Sequence, residues 1–256
     1  MENIYETITR LRRCGEKAVL ATIINTHGSA PRKEGAKMLV QADGKITGTI
    51  GGGSLEYQVQ KEALKIIDGS ESRLAHFELT NEDAAKEGMV CGGIVDVFIE
   101  PIKPLPILLI FGGGHISFSL AKIGKMLDFY VVVIDDRAEF ANAERFPEAD
   151  ETIAEDISAV MRRLEINSSS YIVIVTRGHQ HDARVLEWAA AKPAAYIGMI
   201  GSKKKIRTVF KSLKEKGITQ EQLDRVHSPI GLSIGAETPE EIAVAIMAEI
   251  IKERRQ

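Results

Sequence analysis

Ile107-Leu-Leu-Ile-Phe111-Gly112-Gly113-Gly114-His115-Ile116-Ser117 is a run of five apolar residues, a glycine triplet and the opening of a helical pattern. An apolar run this short, closed by glycine, reads as a strand buried on both faces. Gly112 permits a tight turn, and Gly114 lets the backbone approach a phosphate. The helix that follows would offer free N–H groups and a partial positive charge. The third position of the dinucleotide fingerprint is Ser117 instead of glycine. A second apolar run, Tyr130–Ile134, ends in Asp135-Asp136-Arg137 about twenty residues further on, where a carboxylate accepts from a ribose hydroxyl in dinucleotide-binding folds. The plainer alternative is that the glycines only turn the chain and Asp135 only caps a helix. On the binding reading, any phosphate or pyrophosphate suits the loop, so NAD(P) and other nucleotides are open as ligands, with His115 and Arg137 beside them.

The same rhythm continues outward. Thr152–Ile153, Tyr171–Val175 and Ala195–Ile200 read as further strands. Helices are expected to about Leu127, near Ile157–Leu164, over His181–Ala191 and Lys203–Lys216, and from Thr238 to about Glu253. Apolar strands alternating with helices imply a parallel sheet covered on both faces, a doubly wound Rossmann-type α/β domain. Ligands in such sheets sit beyond the carboxyl ends of the strands, which gives weight to two more segments. Thr176-Arg177-Gly-His179-Gln-His181-Asp182 follows one strand. There Arg177 and His179 are candidate phosphate contacts, and His179, His181 and Asp182 are a candidate Zn or Fe site. Asp182 also suits the start of a helix, where its charge complements the dipole. Gly201-Ser202-Lys203-Lys204-Lys205 follows another strand. Lysines in a first helical turn oppose the dipole, so either an anion binds there or the lysines fan into water.

Upstream, Pro101-Ile-Lys-Pro104-Leu-Pro106 reads as a stiff connector, placing the boundaries at 1–100, 101–106 and 107–256. The first segment reads as a smaller α+β domain. It would hold a helix over Tyr5–Arg13, a buried strand at Ala18–Asn25, a hairpin turning at Asp43-Gly44, and a helix over Leu55–Ile67 capped by Ser54. Strands are expected at Arg73–Leu79 and Ile94–Glu100. Three glycine turns stand out: Gly28-Ser29-Ala-Pro-Arg32, Gly51-Gly52-Gly53-Ser54-Leu-Glu56, and Cys91-Gly-Gly93. Three such turns would be able to converge on one ligand, with Ser29, Arg32, Ser54 and Glu56 as polar contacts. Glu56 equally suits a first helical turn, and Cys91 is either a reactive or metal-binding thiol or a small apolar filler.

Charges nearly cancel, with 33 Lys+Arg against 36 Asp+Glu, and no block of like charge suggests nucleic acid as a partner. The apolar runs fall well short of the ~20 residues that span a bilayer. Two cysteines, Cys14 and Cys91, and no apolar leader point to a reducing, cytoplasmic setting without a membrane partner. No Ser-His-Asp or Cys-His arrangement marks a catalytic residue.

Eight segments together carry a resemblance. GSAPRKEGAKMLV, GTIGGGSLEYQV and VCGGIVDVFIE resemble the N-terminal domain of the xanthine dehydrogenase accessory factor family, XdhC/CoxI. LLIFGGGHIS, VVVIDDRAEFANAERFPEAD, VTRGHQHD, AYIGMIGSKKK and SPIGLSIGAETPEEIAVAI resemble its Rossmann domain. The resemblance implies a maturation factor more than a turnover enzyme. Such a protein binds molybdenum cofactor, supports its sulfuration and insertion into a molybdenum hydroxylase such as xanthine dehydrogenase, works with a cysteine desulfurase, and dimerises. Many relatives have Cys where Ser54 stands here, which leaves Cys91 as the remaining motif thiol. The alternative is a nicotinamide- or nucleotide-dependent oxidoreductase using the Rossmann domain.

Overall fold

The prolines between Pro101 and Pro106 straddle the place where the chain divides, into one unit of Met1–Pro104 and another of Leu105–Gln256. The computed structural model describes residues 3–79 and 93–255.

In the first unit α1 (Ile4–Cys14) starts on a capping box of Asn3 and Glu6. There follow β1 (Ala18–His27), β2 (Lys37–Gln41), β3 (Ile46–Gly48), α2 (Gly53–Ile66), β4 (Arg73–Glu78) and β5 (Ile94–Ile102). The strands form an antiparallel sheet in the order β3-β2-β1-β5-β4. Alternate side chains explain why Ala18–Ile23 is so apolar. Val19, Ala21 and Ile23 pack in the core that holds Leu55, Val59 and Ala63 of α2, while Ala18 and Leu20 pack with Leu11 of α1. Strand β5 continues through Pro101 to Ile102, past the expected boundary at residue 100. Its pairing with β4 ends opposite Ile99, so beyond that point one edge of β5 is free and a proline costs no ladder bond there.

The second unit runs β6 (Ile107–Phe111), α3 (His115–Met126), β7 (Tyr130–Asp135), β8 (Glu151–Ala154), α4 (Ile157–Arg163), β9 (Ser170–Ile174), α5 (His179–Ala190), β10 (Tyr196–Met199), α6 (Lys203–Glu215), α7 (Gln220–Asp224), β11 (Val226–His227) and α8 (Pro239–Arg254). All six strands pair in parallel, in the order β11-β10-β9-β6-β7-β8. The chain winds outward from β6 to β8, then returns to β9 and winds the other way. The topological switch point therefore lies between β6 and β9, and the fold is the doubly wound Rossmann type. Leu109 and Phe111 face a core shared with α4, α5 and α6, whereas Leu108 and Ile110 face one shared with α3 and α8. Burial on both faces is why the strand reads ILLIF without a polar break. Each such side chain contributes roughly 1.5–3 kcal/mol. Helix α7 and strand β11, five and two residues long, are too short for periodicity to reveal. Among the described residues, no helix is long and apolar enough to cross a membrane.

Candidate ligand site at the strand ends

The glycine triplet is built into the switch point. Gly112 has φ +111°, and a Cβ there would overlap the Val175 carbonyl from the neighbouring strand's loop. A Cβ on Gly113 would overlap the Phe140 carbonyl, so only glycine fits there. Gly114 differs: it has φ −74°, and no atom lies within 4 Å of where its Cβ would be. It is the N-cap of α3 and supplies no side-chain cap to the first turn. Gly178 repeats this arrangement at α5, again with open space where a Cβ would stand. By contrast α4, α6 and α8 begin on Asp156, Ser202 and Thr238, whose side chains bond the first-turn amides. The two helix starts flanking the switch point thus leave their amides and positive dipole ends open to an anion. His115 and His179, each at a first helical position, are both exposed.

Ser117, the residue in place of the third glycine, is buried and donates to the Gly112 carbonyl. A small hydroxyl satisfied in this way keeps the helix close to the loop without glycine. Gly124, further along α3, is where the helix presses on Leu108.

Asp135, the expected ribose contact, is engaged by donors within the protein. It is 4% exposed, and both carboxylate oxygens are occupied inside the protein. Oδ2 accepts from the Gly113 amide (2.9 Å) and Arg137 Nη2 (3.0 Å), and Oδ1 accepts from the Arg137 amide (3.1 Å) and Nε (2.9 Å). Four donors satisfy its acceptor sites, so a ribose hydroxyl would have to displace Arg137. Asp135 instead holds the glycine loop from below, while Arg145 Nε donates to the Gly113 carbonyl (3.1 Å) from the other side. Arg137 lies over the Phe140 ring, 3.6 Å from its centroid. Burial alone would raise the Asp135 pKa, but the hydrogen bonds from Arg137 and the Gly113 amide outweigh it and hold the carboxyl below its ordinary range. Its folded pKa lies under its unfolded value of about 3.9. The resulting stability is therefore complete above that pH and disappears as pH falls through the lowered value. The stability difference between the wild type and Asp135→Asn, measured by urea midpoints, is expected to be large at pH 7 and to shrink steadily below about pH 4.

The proposed metal trio is also corrected. Among the described residues, no group of three or more His, Cys, Asp or Glu side chains is placed to hold a metal ion. Asp182 is fully buried. It accepts from the Thr176 amide (3.1 Å) and hydroxyl (2.6 Å) and forms an ion pair with Lys205. Lys205, whose side chain is 16% exposed, also donates to the Ile200 carbonyl (3.1 Å). The sequence alone implied a bound anion or water for this lysine; its partner is the Asp182 carboxylate of the protein itself. A buried internal partner resolves its conflict with the α6 dipole, and only Lys203 and Lys204 stay exposed. Arg177 reaches Asp136 (3.0 Å), tying the β7 and β9 loops together across the mouth of the switch point.

In the first unit the glycine turns adjoin one another. A Cβ on Gly51 would overlap Pro31, and one on Gly93 would overlap the Ser29 carbonyl, so the Gly28–Arg32 turn touches both of the others. Glu56 holds the triplet in place. One of its oxygens accepts from the Thr49 hydroxyl (2.5 Å) and from the Ile50 and Gly52 amides (3.0 Å each). That carboxylate replaces the expected Ser54 cap: the N-cap is Gly52, at φ +87°, and α2 has no side-chain cap from it. Ser29 and Arg32 are exposed and Ser54 is half-buried. Cys91 lies outside the described residues.

Residues 108–250, more than half of the chain, match the family described as the XdhC Rossmann domain, and residues 11–78 match the XdhC and CoxI family. The chain belongs to the XdhC/CoxI family. It is 35% identical over 251 residues to YqeB of Escherichia coli K12, an alignment covering 98% of this chain and 46% of that protein, so the chain spans about half of that relative's length. It is 26% identical to a Bacillus subtilis 168 protein named as a probable subunit of xanthine dehydrogenase, covering 100% of this chain and 99% of that one. It is 22% identical to the molybdenum cofactor insertion chaperone PaoD of Escherichia coli K12, covering 94% of this chain and 84% of that one. Among solved structures, a Bacillus halodurans protein described as a xanthine dehydrogenase matches with a TM-score of 0.55 and 26% identity, over 98% of this chain and 95% of that one.

Sequence reasoning missed several supports of the XdhC/CoxI glycine loop. Arg145 lies 32 residues from the carbonyl it holds, and Thr176, in the loop after β9, and Lys205, in the first turn of α6, meet on Asp182. Only the unusual placement of a lysine at the third position of a helix hinted that Lys205 had a buried partner.

Proposed function

We propose that this XdhC/CoxI protein is an accessory factor that binds molybdenum cofactor as cargo, keeps it during sulfuration, and supports its insertion into a molybdenum hydroxylase of the xanthine dehydrogenase kind. The observation that carries this reading is full-length kinship with a protein named as a molybdenum cofactor insertion chaperone and with one named as a probable part of xanthine dehydrogenase. The geometry supports it. Gly114 and Gly178 leave two uncapped helix starts facing the switch point, where a phosphate or pyrophosphate end would accept backbone N–H bonds. A side chain at either position would project into that open space. His115, His179, Arg177 and Lys203 would stand around it as exposed polar contacts. The engaged Asp135 speaks against the ribose contact that an NAD(P)-dependent oxidoreductase would need there.

The same reading includes a cytoplasmic location, a cysteine desulfurase as sulfur source, and a homodimer as the working form. In the first unit the adjoining turns at Ser29, Arg32 and Gly51–Glu56 would present a second polar surface to cofactor or client. Purified from cells that make the cofactor, the protein is expected to carry molybdopterin, read as pterin fluorescence after release. Deleting its gene should lower the activity of the client hydroxylase. Protein free of pterin, together with a client that stays fully active in the deletion strain, would refute the reading.

A further inference from the structure

The segment after β11 is firmly anchored. Ser228 Oγ donates to the Met199 carbonyl (2.9 Å), the Ile230 amide donates to the same carbonyl (3.2 Å), and the Leu232 amide donates to the Ala245 carbonyl (3.1 Å). The Gly231 amide donates to Glu249 (2.9 Å), which also accepts from the buried Tyr196 hydroxyl (2.5 Å). Burial first, and then the Glu249 carboxylate, push the Tyr196 hydroxyl above its ordinary range, so it remains a donor there. Gly231, at φ +93°, packs against the backbone of α8 at Ala245 and Ile246. These bonds fix one wall of a groove of about 460 Å³. Ile230, Leu232, Ile234, Ala236 and Ile242 line it, and Lys203 stands at its rim. Ile234 remains 56% exposed, although its segment is held rigid.

Three features point to one occupant. First, the groove lies beyond the carboxyl ends of β10 and β11, on the edge of the sheet where Gly114 and Gly178 open their helices. Second, β10 is two strand spacings from β6, about 10 Å, so a single small ligand would reach from the glycine loops to the groove. Third, its walls combine the apolar side chains of Ile230, Leu232, Ile234 and Ile242 with polar groups that include Ser233, its volume is in the range of small-molecule sites, and Lys203 adds a cation with no acidic partner among the described residues. On the Asp135 side of the switch point, Arg137 is bonded to the carboxylate and lies over the Phe140 ring.

We propose that this groove seats the heterocyclic ring of a phosphate-bearing ligand, with the phosphate held toward the α3 and α5 starts and Lys203 closing over the charged arm between them. The proposal rests on the cofactor-binding reading and adds the direction in which the cargo lies: ring over β10 and β11, away from Asp135. Full-length protein would be titrated with molybdopterin released from a purified hydroxylase and, separately, with inorganic pyrophosphate. Ala236→Trp fills the groove, and Ile234→Asp puts a charge on its exposed rim without touching the core. Both are expected to weaken molybdopterin binding by at least about tenfold, roughly 1.4 kcal/mol, and to leave pyrophosphate binding unchanged. If the wild type binds molybdopterin and both variants bind it equally well, the groove is not the ring site, while the cofactor reading stands. A client peptide seated in the groove would give that same unchanged titration with weakened capture of the client, and would overturn the proposal. A wild type that binds pyrophosphate but not molybdopterin would refute both readings.

Discussion

Gly114→Asp and Gly178→Asp should each leave the protein as stable as before, or slightly more so, and yet weaken binding of the phosphate-bearing cofactor by at least about tenfold. The two halves of this expectation have the same cause. Both positions are N-caps in ordinary extended backbone with open space at Cβ, so Asp fits without strain. Its carboxylate would accept the first-turn amides that glycine leaves free, and replacing glycine by Asp at an N-cap gains a few tenths of a kcal/mol. The same carboxylate would then occupy the donors meant for the ligand and repel its charge. Two unit charges about 4 Å apart near a protein surface repel by about 4 kcal/mol before screening, and only about 1.4 kcal/mol is needed for a tenfold loss. Thermal unfolding would measure the first half, and calorimetric titration with molybdopterin or pyrophosphate the second. Unchanged affinity in both variants would mean that the open helix starts are not where the anion sits. Lower stability would mean that the loop needs glycine there for its own packing, as it does at Gly113.

That contrast between neighbouring glycines marks the limit of what the sequence reveals. The Rossmann layout is legible because the strands are buried on both faces, and a five-residue apolar run closed by glycine fits little else than such a strand. The glycine loop is legible as a loop, but its three residues are alike in sequence and differ only in what surrounds them. Phe140 and Val175 forbid a side chain at two of them, and nothing forbids it at the third. The pattern places Asp135 at the correct strand end but leaves its internal partners unseen, because periodicity locates a carboxylate without saying which donors reach it. Here the donors come from Gly113 and from an arginine only two residues on. His179-x-His181-Asp182 resembles a ligand set only while helix phase is unknown. Once α5 begins at His179, Asp182 turns inward to Thr176 and Lys205 while His179 stays at the surface. The convergence of the Ser29, Gly51 and Gly93 turns depends on contacts across the antiparallel sheet, about which spacing along the chain says nothing.

Removing Asp182 is expected to cause the largest loss of stability of any single substitution near the site. The carboxylate is fully buried, and Asp182→Ala would leave Lys205 with the Ile200 carbonyl as its remaining partner and the Thr176 amide without an acceptor. Breaking a buried ion pair from one side costs about 3–5 kcal/mol, because the surviving charge stays desolvated. Whole-domain stabilities are only about 5–15 kcal/mol, so such a loss is a large fraction of the total. For a chain of this size it corresponds to a fall in melting temperature of roughly 10 °C. Lys205→Met should be similarly costly, since it strands the carboxylate instead. The double variant Asp182→Ala with Lys205→Met should be more stable than the sum of the two losses predicts, because neither charge is left alone. Urea midpoints of the four proteins would give the coupling, and strict additivity would mean that the pair does not act as a unit. Function should follow stability. Thr176 leads into Gly178 at the start of α5, and Lys205 sits in the first turn of α6, so the pair joins two of the loops that border the ligand side of the sheet. A protein folded at low temperature with that tie cut should therefore bind molybdopterin more weakly, even though neither Asp182 nor Lys205 is needed to touch it.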